Sequence, residues 1–185
     1  MEMTGEHAVP APADHVWKAL NDPEMLKSCI PGCASIEPDG ENAYRMAMTT
    51  RVGPVSARFT GKIHMSDIEI SHAYTLHFEG SGGAVGFVNG EAHVTLSPGT
   101  EGTTTLTYVA KAHVGGKIAQ VGSRLIDGAA HKLAADFFAS FVEALSPPGE
   151  APAPVVVRRS RVATYAVIGA AIIAVLAALY LIARR

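Results

Sequence analysis

From about residue 34 to residue 114, apolar positions alternate with polar ones. A period of two is typical of antiparallel strands that bury one face and expose the other. The alternation breaks around residues 38–40, 53–54, 80–83 and 97–99, which are rich in Gly, Pro, Ser and Asp. These residue types favour hairpin turns. The pattern therefore predicts about six antiparallel strands joined by short turns.

Ahead of this region, the pattern predicts one strand and two short helices. Residues 2–9 are a strand candidate. Val16 and Leu20 then lie at helical spacing, and a second short helix begins at Pro23 and stops at the turn 30–32. Pro is common in the first turn of a helix, and Pro-Gly after the last turn marks its end.

The helical period returns after Gly115-Gly116 and continues to Ser146. It predicts one helix of about 30 residues, which is long for a globular domain. Its apolar stripe comprises Ile118, Val121, Leu125, Ala129, Leu133, Phe137, Phe141 and Leu145, and it is widened by Ile126, Ala130, Phe138 and Val142.

This order of elements predicts an α+β fold in which a curved antiparallel sheet wraps around one long C-terminal helix. A long meander twists and curves, and a single helix rarely fills the concave side, so we expect an apolar cavity there. The alternative is that the same side chains form a filled core. The predicted ligand-binding wall comprises Phe59, Ile63, Tyr74, Leu76, Phe78, Val94, Leu106, Tyr108, Ala110, Leu125, Ala129, Leu133 and Phe137. The predicted rim comprises Met25, Leu26, Ile30 and Pro31, with Gly83, Ala84 and Gly86 as a second rim.

The end of the chain has a different character from the domain at 1–146. Residues 162–183 carry no charged side chain, and arginines flank them on both sides. As a helix this segment would be about 33 Å long, enough to cross a bilayer core of about 30 Å. We predict a transmembrane helix at 162–183, preceded at 147–161 by a Pro-rich linker and basic juxtamembrane segment.

The charge distribution narrows the possible partners. Residues 1–146 contain ten Lys and Arg against sixteen Asp and Glu, a net charge of −6. An acidic domain argues against nucleic acid, whereas the basic juxtamembrane segment suits an anionic membrane surface. The first six residues are acidic and lack the apolar core of a signal peptide. The expected location is the cell membrane, with a single-pass C-terminal anchor and the domain facing the cytoplasm.

The sequence holds no recognisable catalytic set. Motifs for phosphate, dinucleotide, nucleophilic-serine and zinc-protease chemistry are missing. His64, His77, His93 and His113 all fall on the polar phase of predicted strands, so we expect them to face solvent. The spacing of Cys29 and Cys33 makes a poor zinc site. We therefore predict no enzyme activity, no metal and no covalently bound cofactor.

Several short motifs are informative together with the order of elements. They are Val16 to Pro23, Ile30 to Cys33, Val52 to Val55, Phe59 to Gly61 and Gly122 to Ile126, with the Phe137-Phe138 pair. These features resemble the START-like (SRPBCC) superfamily of helix-grip proteins and, within it, the G-subunit family of carbon monoxide dehydrogenase. The resemblance covers about residues 1–146 and implies a molybdenum hydroxylase partner, such as CO dehydrogenase, and a membrane quinone pool.

Two functions are consistent with these features. The first is a membrane-tethered protein that binds an isoprenoid quinone, menaquinone or another, without a covalent bond and shuttles it between the membrane and the molybdenum hydroxylase for electron transfer. The second is an adaptor or assembly factor that recruits the enzyme to the membrane without transporting a ligand. Cavity-filling substitutions such as Ala110→Trp or Ala129→Phe would separate the two, because they would affect only the carrier.

Overall fold

The structure is a computed structural model that describes residues 1–52 and 55–146. The predicted linker at 147–161 and transmembrane helix at 162–183 lie outside the described residues. Within the described part, no helix is both long and apolar enough to cross a membrane.

The described chain forms seven strands and three α-helices in the predicted order. Short 3-10 turns lie at Gly83–Val85, Thr100–Gly102 and Lys117–Val121. The strands and helices are β1 (Glu2–Val9), α1 (Ala13–Leu20), α2 (Pro23–Cys29), β2 (Cys33–Pro38), β3 (Ala43–Val52), β4 (Val55–Glu69), β5 (Ala73–Ser81), β6 (Phe87–Pro98), β7 (Thr104–Gly115) and α3 (Ser123–Leu145).

All seven strands belong to one antiparallel sheet in the order β1-β7-β6-β5-β4-β3-β2. The six strands from β2 to β7 form the predicted meander, and β1 adds to its far edge. β5 ends at Ser81, opposite Thr60, whereas β3 and β4 keep pairing as far as Val52 and Val55. The β3–β4 hairpin therefore projects beyond the rest of the sheet as an arm.

One face of the sheet and one face of α3 form a single apolar core. Alternate residues of β5 and β7 are buried, as the period of two predicts. The side chains of α3 that fill the centre include Phe137 and Phe141, both inaccessible to solvent, whose ring centroids lie 5.5 Å apart. Aromatic pairs at this spacing add to the stabilisation that burial alone provides.

The predicted 30-residue helix is wrong at its start. A 3-10 turn at Lys117–Val121 is followed by Gly122, whose φ of +95° lies outside the right-handed helical region, and α3 then has 23 residues. Within α3, the period of 3.6 residues per turn decides which residues face the sheet. Ile126 and Ala130 are buried, whereas Leu125 is 49% exposed.

The start of α2 shows how local chemistry sets a boundary. The Asp22 carboxylate accepts a hydrogen bond from the Glu24 backbone N–H at 2.9 Å, and Pro23 occupies the first helical position. Both features favour a helix start. After α2, the turn is held to β3 by a 2.8 Å hydrogen bond from the Thr49 N–H to the Gly32 carbonyl.

Candidate ligand-binding interior

The predicted wall residues from the strands all point into the interior between the sheet and α3. Every one of them is buried, as are Leu133 and Phe137 of α3. Two of the predicted wall positions, both on α3, are not fully buried. Ala129 is only half-buried, and Leu125 faces solvent because each four-residue step along α3 turns about 40° around the axis, which places Leu125 about 120° from Phe137. Leu125 is thus not a wall residue in this structure.

In this conformation the wall residues pack against one another. Tyr74 meets the Trp17 ring of α1 edge-on, with centroids 5.3 Å apart, and Phe137 meets Phe138 in the same way at 5.0 Å. Phe59, on β4 at the base of the β3–β4 arm, has no accessible surface. A ligand would have to separate these side chains, since tightly packed interiors leave few voids of useful size.

Two tyrosine hydroxyls lie within this apolar interior. Tyr74 and Tyr108 are 1% and 3% exposed. Each pairs with Val94 across β6, so the three residues form one inward row, with the tyrosine backbones about 10 Å apart. Burial raises the pKa of both phenols, and the nearby Tyr44 contributes at Tyr74. Both hydroxyls therefore stay protonated and can donate a hydrogen bond.

Neither hydroxyl has a hydrogen-bond partner among the described residues, whereas the half-buried Tyr44 hydroxyl donates to the Asn21 carbonyl at 3.4 Å. Buried polar groups are nearly always paired, and an unpaired one calls for an explanation such as a water or a ligand. The interior thus offers two unused donors surrounded by apolar side chains.

His7 is an inward residue that the sequence analysis missed. It lies on β1 and stacks on Phe138 of α3, with ring centroids 3.7 Å apart and planes 9° apart. Phe138 in turn lies parallel to Tyr108 at 6.1 Å. Burial lowers the pKa of His7 to about 4, so its imidazole is neutral at pH 7. The alternation of β1, with Met3 and Val9 buried, was the one signal that could have identified His7 as inward.

Two glycine-rich loops close the interior where α3 begins. One spans residues 82–86 and the other 115–122, and each buries one apolar side chain, Val85 and Ile118. The loops touch through their backbones, because a Cβ at Gly86 would lie 2.2 Å from the Gly115 carbonyl oxygen. Four of their glycines have positive φ, at positions 83, 86, 116 and 122. We name this pair of loops the gate.

The predicted first rim lies at the α2–β2 turn. Leu26 and Ile30 are buried in the core, whereas Met25 and Pro31 are half-buried. α2 also contacts α3. The rim residues thus flank the interior, and two of the four are anchored in it.

A shallow groove of about 1150 Å³ lies on the outer face of the sheet. Each strand from β4 to β7 contributes two outward side chains, one on either side of an inward residue. These side chains include both positive and negative charges. These are Lys62, His64, His77, Glu79, Asn89, Glu91, Lys111 and His113. Such a polar surface is unsuited to an isoprenoid chain.

The four strand histidines are exposed, as predicted. His77 Nε2 lies 3.0 Å from the Ser66 hydroxyl and His93 Nδ1 lies 3.3 Å from the Thr75 hydroxyl. Hydrogen bonds from Ser66 and Thr75 lower the pKa of Asp67 beside them.

In the described ranges, no group of three or more His, Cys, Asp or Glu side chains is suited to a metal. Both cysteines are free thiols.

Comparison with known proteins identifies the described domain. Residues 5–146 match the family model of the carbon monoxide dehydrogenase G subunit (CoxG). A conserved protein from Geobacillus kaustophilus of known structure is 34% identical, with a TM-score of 0.74, over 78% of this chain and 95% of its own. No curated protein matches the chain.

More distant structures share the fold. A protein from Chromobacterium violaceum is 14% identical with a TM-score of 0.60, over 80% of this chain and 99% of its own. The aromatase/cyclase Zhui from a Streptomyces species is 12% identical with a TM-score of 0.54, over 78% of this chain and 93% of its own. The Geobacillus kaustophilus protein, of which 95% is covered, consists almost entirely of a domain of this extent.

Proposed function

Since the chain belongs to the CoxG family of carbon monoxide dehydrogenase proteins, we propose that it binds a hydrophobic ligand between its sheet and α3. The favoured ligand is an isoprenoid quinone, such as menaquinone, held without a covalent bond. The protein would carry the quinone between a membrane and a molybdenum hydroxylase such as CO dehydrogenase, the enzyme that the family name implies. The partner would carry out the redox chemistry.

The observation that carries this proposal is the pair of unpaired hydroxyls of Tyr74 and Tyr108 in an apolar interior. A buried hydroxyl without a partner costs about 1–3 kcal/mol. A purely aliphatic ligand would leave that cost in place, and a strongly polar one would be rejected by the Phe and Leu side chains around it. A quinone has carbonyl acceptors for the hydroxyls and an apolar tail for the remaining surface.

His7 supports the same class of ligand. Because its imidazole is neutral at pH 7, it adds no net charge to the interior and offers one donor and one acceptor nitrogen. It stacks on Phe138 next to Tyr108. A reduced quinone, which has hydroxyl donors in place of carbonyls, would find its acceptor in the unprotonated nitrogen or in the tyrosine oxygens.

The physical need for a carrier follows from the quinone tail. Exposing each CH₂ to water costs about 0.8 kcal/mol, so each five-carbon isoprene unit costs about 4 kcal/mol. A quinone therefore does not leave a bilayer for a water-soluble enzyme unaided. An interior that closes around the tail removes most of this cost, and the gate is the place where the chain would open.

A second function, recruitment of the enzyme without ligand transport, is favoured by a different observation. The interior is packed in this conformation, while the outer face carries a broad groove with charges of both signs. Such a groove would suit a polar protein partner. In that case the outer face would dock the enzyme and the unpaired hydroxyls would have no role.

The test is native mass spectrometry of residues 1–150, purified from a host that makes quinones. The carrier proposal predicts a stoichiometric co-purifying quinone, or its uptake by the empty domain on incubation with menaquinone. A domain that remains empty after incubation would contradict the proposal and favour recruitment. A correctly folded far-UV circular dichroism spectrum is the required control.

A further inference from the structure

The two ends of the sheet carry opposite charges. We define the portal end as the gate, the first turn of α3 and the described residues 49–52 and 55–58 of the β3–β4 arm, and the distal end as the β2–β3, β4–β5 and β6–β7 turns. Exposed cations at the portal end are Arg51, Arg58, Lys117 and Arg124. Exposed or half-buried acids at the distal end are Asp39, Glu41, Asp67, Glu69 and Glu101.

The portal end has almost no acidic counterpart. Its nearest acidic residue on α3 is Asp127, about one turn further into the helix. Among the described residues, Arg58, Lys117 and Arg124 form no ion pair. At the distal end the one basic side chain in the turns is His72, beside Glu69, and Asp39 pairs with Arg45 and Lys62 of the adjoining strands. A domain with a net charge of −6 therefore presents one basic end.

An apolar side chain lies among these cations. Leu125 is 49% exposed and follows Arg124 directly in the first turn of α3. A leucine flanked by basic residues is typical of segments that lie in a membrane interface, where the apolar side chain enters the headgroup region and the cations contact lipid phosphates. The N-terminal end of α3 adds its own positive partial charge.

We propose that the portal end is a docking face for an anionic lipid bilayer. Lys117 and Arg124 would contact lipid headgroups, and Leu125 would insert beside them. Because the gate lies on the same end, the interior would open directly onto the membrane. The purpose of this placement, exchange of a ligand between the interior and the membrane, rests on the proposed function. Docking itself requires no ligand.

The distal end is not suited to dock onto the same anionic membrane. Ile70 is 79% exposed there and Ile68 is 37% exposed, but Asp67 and Glu69 alternate with them along the chain. Negative lipid headgroups repel such a surface within about 10 Å at moderate salt. The domain would therefore orient with its distal end away from the bilayer.

The predicted anchor permits this orientation. α3 is 23 residues long, or about 35 Å, and it runs from the gate to the point where the linker begins. The predicted linker at 147–161 could span about 45–50 Å when extended. That length would be enough to return past α3 and place the portal end against the bilayer that the predicted helix at 162–183 would span.

The test is co-sedimentation of residues 1–150, without the predicted anchor, with quinone-free vesicles. One set contains phosphatidylcholine alone and the other equal parts phosphatidylcholine and phosphatidylglycerol. We expect binding to the second set only, weakened by salt. The double variant Lys117→Glu/Arg124→Glu should bind at least about tenfold more weakly, since each basic residue near an anionic surface contributes severalfold. Leu125→Ala should also weaken binding.

The matched control is Lys18→Glu/Lys132→Glu, which changes the net charge equally at exposed or half-buried positions away from the portal end. It should retain most of the binding. Equal loss in both double variants would mean that only net charge matters, and the docking face would be disproved. The same holds if the folded wild-type domain ignores anionic vesicles.

Two further outcomes separate this proposal from docking to an acidic protein surface and from the carrier function. If the wild-type domain ignores vesicles but the portal-end variants slow quinone delivery to a soluble acceptor enzyme, the basic face binds an acidic protein surface and the membrane assignment is wrong. If the domain binds anionic vesicles but never takes up menaquinone, the docking face stands and the proposed carrier function fails.

Discussion

Hydroxyl groups on the inward and outward faces of β5, β6 and β7 differ in whether a hydrogen-bond partner lies beside them. On the inward face, the Tyr74 and Tyr108 hydroxyls are buried and have no partner among the described residues. One residue along on the outward face, the Thr75 hydroxyl lies 3.3 Å from His93 Nδ1. A missing hydrogen bond costs far more in the interior than in water. The inward face is therefore where a ligand would gain most by supplying an acceptor.

The comparison also distinguishes the two candidate functions. The outward face has polar groups already paired or solvated, as suits a surface that other proteins touch. The inward face combines apolar packing with two donors that have no partner among the described residues, which would lower the stability of an empty domain relative to a complex with a carbonyl ligand. The predictions below test this difference from the largest expected effect to the smallest.

The largest effect should come from truncating the inward face. Phe137 has no accessible surface and contacts two other phenylalanines. Phe137→Ala should lower the free energy of unfolding by about 3–5 kcal/mol, because it removes buried apolar area and leaves a cavity. Val109→Ala on the outward face, where Val109 is 43% exposed, should change it by about 0.5 kcal/mol. Urea unfolding followed by circular dichroism measures both, and similar losses would contradict the assignment of faces.

A smaller effect is expected at the gate. Gly86 has a φ of +146°, and a Cβ there would lie 2.2 Å from the Gly115 carbonyl oxygen. Gly86→Ala should cost about 1–3 kcal/mol, through backbone strain and the clash, and should loosen the contact between the two loops. Its control is Gly128→Ala in α3, where nothing lies within 4 Å of an added Cβ. That variant should be stabilising by about 0.5–1 kcal/mol. A neutral Gly86→Ala would mean that the loops do not touch as described.

The inward position of His7 predicts a pH dependence. Its pKa of about 4 in the folded state lies below its ordinary value of about 6.5. Between these two values the unfolded chain binds the extra proton, so the contribution of His7 to stability is present above pH 6.5 and is lost as the pH falls towards 4. His7→Phe should keep the stack on Phe138 and reduce this loss. Unfolding midpoints at a series of pH values would test it, and equal slopes for the two proteins would place His7 outside the interior.

Much of the fold could be predicted from the sequence because alternation depends directly on one buried face. The strands, the outward histidines and the inward direction of Tyr74 and Tyr108 follow from that period. The start of α3 could not be predicted, since an apolar stripe does not show that Gly122 adopts a positive φ and interrupts the helix. Leu125 was expected to face inward because it continues a four-residue spacing, but that spacing drifts around a helix with 3.6 residues per turn. Ile126 and Ala130, which were expected to widen the stripe, are the buried residues there.

The candidate site could not be predicted in full, because it depends on contacts between residues that are far apart in the sequence. His7 carries no local signal of its stacking on Phe138, which is 131 positions later in the chain. The gate depends on the approach of Gly86 to Gly115 and Gly116, and no repeat or motif links the two loops. The charge difference between the ends of the sheet likewise emerges only when the strand register places the turns.

The most direct test of the central claim is quinone binding by a variant that lacks both inward hydroxyls. Trp17 is the single tryptophan of the chain and its ring lies 5.3 Å from that of Tyr74, so its fluorescence should report a quinone bound there. A titration with a short-chain menaquinone should quench the wild-type domain. Tyr74→Phe/Tyr108→Phe should bind about tenfold more weakly, as expected for lost hydrogen bonds, while its empty form is at least as stable. Tyr44→Phe, which removes a hydroxyl that already has a partner, should bind like the wild type. Equal affinity in the double variant would contradict the claim that the two hydroxyls hold the ligand.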